Sequence, residues 1–192
     1  MHKKFLKLYY FIEEFKKSII DKQSPNTAII YRNYKKQYKI SEIISIRDYC
    51  KKKKIKFYLS NNIKLSINLN LDGAYLPSFN ESFSHLNYNF KKNFTIIGSA
   101  HNLREIRVKE MQKVKEIFLS SLFKDNGNFL GLNKFNLLSN YSKKDIIALG
   151  GVSKENVKII KLTKSIGFAG ISYFKKKRPL LIRGLSFKYS NF

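Results

Sequence analysis

At 192 residues the chain is long enough for one well-buried domain and short for two. Its 38 Lys and Arg against 13 Asp and Glu give a net charge of +25, which raises nucleic acid as a partner class, yet no recognised reader motif accompanies the charge. Cys50 is the only cysteine, which excludes a disulfide framework and a thiolate metal site and fits a reducing cytoplasm.

Taken in chain order, the N-terminus places positive charge ahead of apolar residues, but the apolar run is short and Glu13 and Glu14 follow at once. It therefore predicts a first strand, Tyr9 to Ile12, and not a signal peptide. Further apolar runs of strand length are Ala28 to Arg32, Phe57 to Ser60, Gly73 to Leu76, Thr95 to Ser99, Ile117 to Ser120, Ile146 to Leu149 and Gly170 to Tyr173. Helical patterns fall between them at Glu14 to Asp21, Ser41 to Lys53, Ile63 to Asn70, Leu103 to Lys113, Lys134 to Asn140 and Lys154 to Ser165. Ser82 to Lys92 is less periodic and predicts only a short helix. About eight alternating units argue for a closed (β/α)8 TIM barrel over an open sheet. Because 192 residues is at the lower edge for that fold, the barrel is expected to be a compact single domain with short loops. Residues 175–192, with Pro179 and the run Leu180 to Ile182, form a closing segment in this reading. No apolar stretch is long enough to cross a bilayer.

In such a barrel the working residues follow the strands. The richest of these ends is Asp145 to Val157: a buried run, then Gly150 and Gly151, then Ser153 as N-cap of a helix from Lys154. That is a phosphate site by construction, with free amides and a helix dipole at the turn's mouth, and it is equally the pattern of an ordinary strand-to-helix turn. Arg32 ends the second strand, where a guanidinium can take phosphate in two-pronged fashion or form a surface salt bridge. His101 follows the fifth strand as an acid or base near neutral pH, or as a loop cap.

The order of motifs resembles the thiamine phosphate synthase and TenI family of (β/α)8 barrels. Ala28-Ile-Ile-Tyr-Arg32 resembles its second strand, and Ser60-Asn61 followed by Asp72-Gly-Ala-Tyr-Leu76 resembles its Asn-Asp and Asp-Gly-Val-His-Leu pair. Ile96-Ile-Gly-Ser-Ala-His101 is similar to Ile-Gly-x-Ser-x-His. Ala148-Leu-Gly-Gly151 with Glu155-Asn-Val157 is similar to Ala-Ile-Gly-Gly-Ile and Glu-Asn-Val, and Gly167-Phe-Ala-Gly-Ile171 to the last strand's Gly-Ala-Asp-Gly-Ile.

The resemblance implies a transferase that joins a hydroxymethylpyrimidine diphosphate to a thiazole phosphate with loss of pyrophosphate, assisted by Mg2+. It assigns Arg32 and His101 to catalysis, Gly150, Gly151 and Ser153 to phosphate, and Ser60, Asn61 and Lys175 to substrate. The family's two metal aspartates fall on Asn61 and Asn80, poor ligands for Mg2+. The family's lysine two beyond the arginine is Tyr34, a glycine of the fifth motif falls on Ile97, and the Thr-x-Thr-Lys loop falls near Asp125 to Asn128 without those side chains. Lys35, Lys124 and Lys175 are close to strand ends, where each reads as a solvated surface lysine or as compensating charge for phosphate oxygens. Leu76-Pro77-Ser78 is closer to the TenI branch of thiazole tautomerases, whose histidine falls near Ser121. The expectation is a synthase-like transferase with a degenerate metal site. The alternatives are a TenI-like tautomerase, a non-catalytic binder of thiamine intermediates, or a basic nucleic-acid-binding barrel. Homo-oligomer formation is left open.

Overall fold

The structure, a computed structural model, describes residues 7–34 and 38–175, and of Lys175 the backbone alone. The expected closing segment beyond Lys175, together with Lys35 and the side chain of Lys175, therefore lies outside the described residues. Eight strands form one closed parallel barrel: β1 (Lys7–Ile12), β2 (Thr27–Tyr31), β3 (Phe57–Ser60), β4 (Gly73–Leu76), β5 (Thr95–Ala100), β6 (Glu116–Leu119), β7 (Asp145–Ala148) and β8 (Gly167–Gly170). Closure is made by β1 against β8, with Lys7 opposite Gly167 and Tyr10 opposite Gly170. Helices α1 (Lys17–Asp21), α2 (Ile40–Lys52), α3 (Ile63–Asn68), α4 (Leu103–Met111), α5 (Gly131–Tyr141) and α6 (Ser172–Lys175) lie between or after the strands. Residues 82–92 hold only a short 3-10 turn, Ser84–Asn87. Among the described residues, no helix is long and apolar enough to cross a membrane.

The strands read as continuous apolar runs because both faces are buried. Tyr9, Phe11, Ala28, Ile30, Tyr58, Tyr75, Ile97, Phe118, Ile147 and Ala169 fill the interior, while their neighbours Tyr10, Ile12, Ile29 and Tyr31 meet the helices. Aromatic rings carry this inner core: Phe118 packs edge-on against Tyr9 at 4.8 Å and Tyr75 at 5.6 Å, and Phe11 against Tyr75 at 5.3 Å between centroids. Rings this large fill the barrel across from Ala28 and Ala169, and each edge-on pair adds about 0.5–1.5 kcal/mol beyond its burial.

Two expected elements differ. The last strand is Gly167–Gly170, three residues earlier than the apolar run Gly170 to Tyr173 predicts. A side chain at Gly167 would sit 1.9 Å from the Lys7 carbonyl oxygen, so bare backbone is what permits barrel closure there. Ser172 onward instead forms α6. The helix expected over Lys154 to Ser165 is absent: turns lead to a 3-10 segment, Ile159–Leu162. Asn156 explains this locally, because its side chain accepts from the Ser153 N–H at 2.8 Å and donates to the Gly151 carbonyl at 2.9 Å. Such side-chain bonds compete with helix formation, and the backbone bonds that follow are mostly of the i to i+3 type.

The far end of the barrel is basic and partly hollow. A cavity of about 300 Å³ is lined by Lys7, Lys54, Lys56 and Lys115, with Glu116 buried at its floor between Lys7 and the Tyr9 hydroxyl, 2.6 Å away. This is the strand N-terminal face, where such barrels build stability more than chemistry.

Burial also sets the response to alkali. The Cys50 thiol, on the buried face of α2, is pushed up to about 12 by burial and by Asp72. Burial raises Tyr75 to about 12, and raises Tyr9 and Tyr58 further. The unfolded chain loses these protons near pH 9–10 while the folded chain retains them, so their stabilisation is complete below about pH 9 and lost progressively above it. Lys109, lowered by burial, acts in the opposite sense but is outnumbered. The melting temperature is expected to stay level from pH 7 to 8.5 and to fall above pH 9. A melting curve that rises over that range would contradict this account.

Candidate functional site

The C-terminal ends of β1, β2, β6, β7 and β8 surround a cavity of about 480 Å³ lined by Phe11, Arg32, Ser120, Ser121, Lys124, Asn126, Leu149, Gly150, Gly151, Val152, Gly170, Ile171 and Ser172. Arg32 and the Gly150-Gly151 turn, 118 residues apart in sequence, thus share one cavity.

The glycine turn has a second reason for lacking side chains. Gly150 and Gly151 have φ of +96° and +75°, a region L side chains rarely adopt. A Cβ on Gly150 would lie 2.3 Å from Ser121 Oγ, and one on Gly151 would lie 2.6 Å from the Lys124 amide nitrogen. The turn is therefore fitted against the loop after β6, and the Phe123 N–H bonds the Gly150 carbonyl at 2.9 Å. The N–H groups of Gly151 and Val152 make no hydrogen bond among the described residues, which leaves two donors in the cavity lining for an anion. Ser153 does not cap a helix, since none follows it. Its N–H is taken by Asn156, so the helix-dipole contribution expected at this turn is missing.

Arg32 is held by its backbone N–H to the Ile12 carbonyl at 2.9 Å, and its guanidinium lies over the Phe11 ring at 4.6 Å from the centroid. No carboxylate pairs with it among the described residues, so the surface salt bridge is not what is observed. Inside the barrel, burial raises the Tyr75 phenol, and the neighbouring Ser99 and Arg32 side chains oppose that rise. Lys124 also lines the cavity, with its backbone against Gly151.

The other expected residues lie elsewhere. Ser60 is fully buried, and its hydroxyl bonds Tyr34 at 3.0 Å while its carbonyl accepts from Tyr38 at 2.8 Å. Tyr34 also packs on Phe79 at 5.6 Å between ring centroids. His101 does not line the cavity. Its N–H and Nδ1 both meet Glu105 Oε2, at 2.7 and 2.9 Å. At the start of α4 the Asn102 side chain caps the helix, accepting from the Glu105 N–H and donating its amide to Glu105 Oε1, each at 2.9 Å. The loop-cap reading of His101 is the one this geometry supports.

Asn61 and Asn80 border a separate depression of about 190 Å³. They are bonded to each other, Asn80 Nδ2 donating to Asn61 Oδ1 at 2.7 Å, and Asn80 Oδ1 accepts from the Ser82 N–H at 3.0 Å. Two amides that satisfy one another offer no anionic oxygen, so these residues do not fit Mg2+, a hard cation that favours carboxylates. Beneath them is a residue that sequence reasoning missed. Lys109 of α4 is fully buried, donating to the Asn80 backbone carbonyl at 2.6 Å and to Gln112 Oε1 at 2.9 Å. Burial lowers its pKa to about 8, and Glu105 and Glu81 oppose that shift. A lysine within a polar helix reads as solvated. The only hint lay in Gly98, whose missing side chain leaves room for the lysine stem. Phe11 and Tyr75 were missed because a residue inside a barrel strand reads simply as core.

Comparisons with known proteins agree with this architecture. A family model described as thiamine monophosphate synthase matches residues 16–174. A thiamine-phosphate synthase of Methanococcus vannielii is 26% identical over 120 residues, covering 60% of this chain and 58% of that protein. One of Fusobacterium nucleatum is 25% identical over 142 residues, covering 72% and 65%. The chain thus spans less than two thirds of the length of both. Among solved structures, a thiamine phosphate pyrophosphorylase from Pyrococcus furiosus superposes with a TM-score of 0.72 at 20% identity, over 88% of this chain and 91% of the other. The match runs through all but the first of the eight strands and carries the motifs in their order, and on that ground the chain belongs to the thiamine monophosphate synthase family.

Proposed function

We propose that the protein is a thiamine phosphate synthase-type transferase that acts without a strong metal site. The thiazole nitrogen would attack the pyrimidine methylene carbon as the carbon–oxygen bond to the diphosphate breaks, and pyrophosphate leaves with the bonding electrons. The Gly151 and Val152 amides hold the thiazole phosphate, and Arg32 and Lys124 meet the charge that develops on pyrophosphate. The observation that carries this reading is the single cavity uniting Arg32 with the glycine turn. The carboxylate pair that would hold Mg2+ is replaced by Asn61 and Asn80, so turnover is expected to be slow.

A second reading, a silent binder of the same phosphorylated compounds, is favoured by the closed Asn61–Asn80 hydrogen bond. Tautomerase chemistry has less support, because Ser121, in the histidine's place, spends its hydroxyl on the Lys124 carbonyl at 3.0 Å. A timed assay with both substrates separates these readings. Slow formation of thiamine phosphate, lost in Arg32→Gln, is expected. Binding of both substrates without product would leave the silent binder, and failure to bind either would end both readings.

A further inference from the structure

We propose that the buried Lys109 ammonium is a built-in cation that fixes the loop carrying Asn80 and keeps a divalent ion out of the Asn61–Asn80 position. The inference rests on reading those asparagines as the family's metal positions. Lysine stems normally carry their charge out to water, yet Lys109 is 0% exposed. Its stem passes Gly98, where an added Cβ would lie 2.9 Å from Lys109 Cδ.

At its tip the ammonium joins a closed set of hydrogen bonds. Lys109 Nζ bonds the Asn80 carbonyl at 2.6 Å and Gln112 Oε1 at 2.9 Å. Gln112 Nε2 returns to the Asn80 carbonyl at 2.9 Å, to Asn80 Oδ1 at 3.3 Å and to the Ser82 carbonyl at 2.9 Å. The main-chain and side-chain oxygens of Asn80 are thus tied to one Lys109–Gln112 pair, and Asn61 Oδ1 is tied to Asn80. Every one of these oxygens faces an internal donor.

The consequence concerns charge. Two carboxylates restored at positions 61 and 80 would carry two negative charges, and Lys109, one hydrogen-bonded amide away, would cancel one of them. A divalent ion would then meet a net single negative charge and the direct repulsion of the ammonium. A neutral pair of asparagines is compatible with that buried cation, whereas an ion pair that also binds metal requires the cation to be gone. Substituting the asparagines alone therefore does not rebuild a metal site.

Mn2+ serves as the probe, with free ion counted by electron paramagnetic resonance, so neither substrate nor turnover is needed. Failure here leaves the transferase assay untouched, and the reverse also holds. The variants are Asn61→Asp/Asn80→Asp, and the same pair combined with Lys109→Met or with Lys109→Gln. Gln keeps an amide donor should Met not fold. The pair alone is expected to bind Mn2+ at least about tenfold more weakly than the pair with a neutral residue 109. Equal affinities, or no Mn2+ binding when residue 109 is neutral, would overturn the proposal. Amide exchange in singly substituted Lys109→Gln supplies the second readout. Faster exchange at Asn80 and Ser82 with the barrel strands unchanged supports the loop anchor, and unchanged exchange at those two amides overturns it.

Discussion

Gly150→Ala should destabilise the protein by about 3–5 kcal/mol and abolish binding of a thiazole phosphate. Two costs add at this position. The backbone holds φ at +96°, outside the regions open to alanine, and relaxing it would reorient the Gly151 and Val152 amides. The new methyl would also lie 2.3 Å from Ser121 Oγ and 2.7 Å from Ser121 Cα, and the second of these is backbone that cannot rotate away. The loop after β6 must then move, and it carries Lys124 and part of the cavity wall. Gly127→Ala in the same loop is the control: nothing lies within 4 Å of its added Cβ, and a change within about 0.5 kcal/mol is expected. Denaturant unfolding of the two variants checks the contrast, and equal stability would remove the packing argument.

Arg32→Gln should weaken inorganic pyrophosphate binding about a hundredfold while leaving the fold intact. The guanidinium lies against the Phe11 ring, where solvent screening is reduced, and has no carboxylate to neutralise it among the described residues. Its planar fork can take two oxygens at once, which glutamine cannot reproduce. Little stability depends on it, because the backbone bond to Ile12 survives the substitution. Calorimetric affinities for pyrophosphate give the test. A loss under about threefold would mean that Arg32 does not face the bound anion.

The barrel was legible in the sequence because its strands are buried on both faces and appear as unbroken apolar runs, from Phe57 to Ser60 or Gly73 to Leu76, with the observed bounds. The last strand was harder. Gly167-Phe168-Ala169-Gly170 has weak strand propensity, and it is its pairing with β7 on one side and with β1, 160 residues earlier, on the other that makes it one. The helix after Ser153 failed for a local reason, since Asn156 captures the backbone that a helix would need.

Within the candidate site, the apolar runs place Arg32 and the two glycines at strand ends, but that they share one cavity depends on closure of the barrel. The role of Tyr34 could not be read, as it depends on reaching across to Ser60 and Phe79. Lys109 was hidden by the same limit: burial of a helical lysine is decided by what packs over it, here the loop that carries Asn80.

The central claim is that the glycine turn and Arg32 bind a phosphorylated ligand together, and amide-resolved NMR during titration with thiazole phosphate tests it most directly. Saturable shifts at Gly151 and Val152, with smaller ones at Arg32 and none at Asn61, are the predicted result. Saturation without movement of Gly151 and Val152, or no shifts at millimolar ligand, would contradict it.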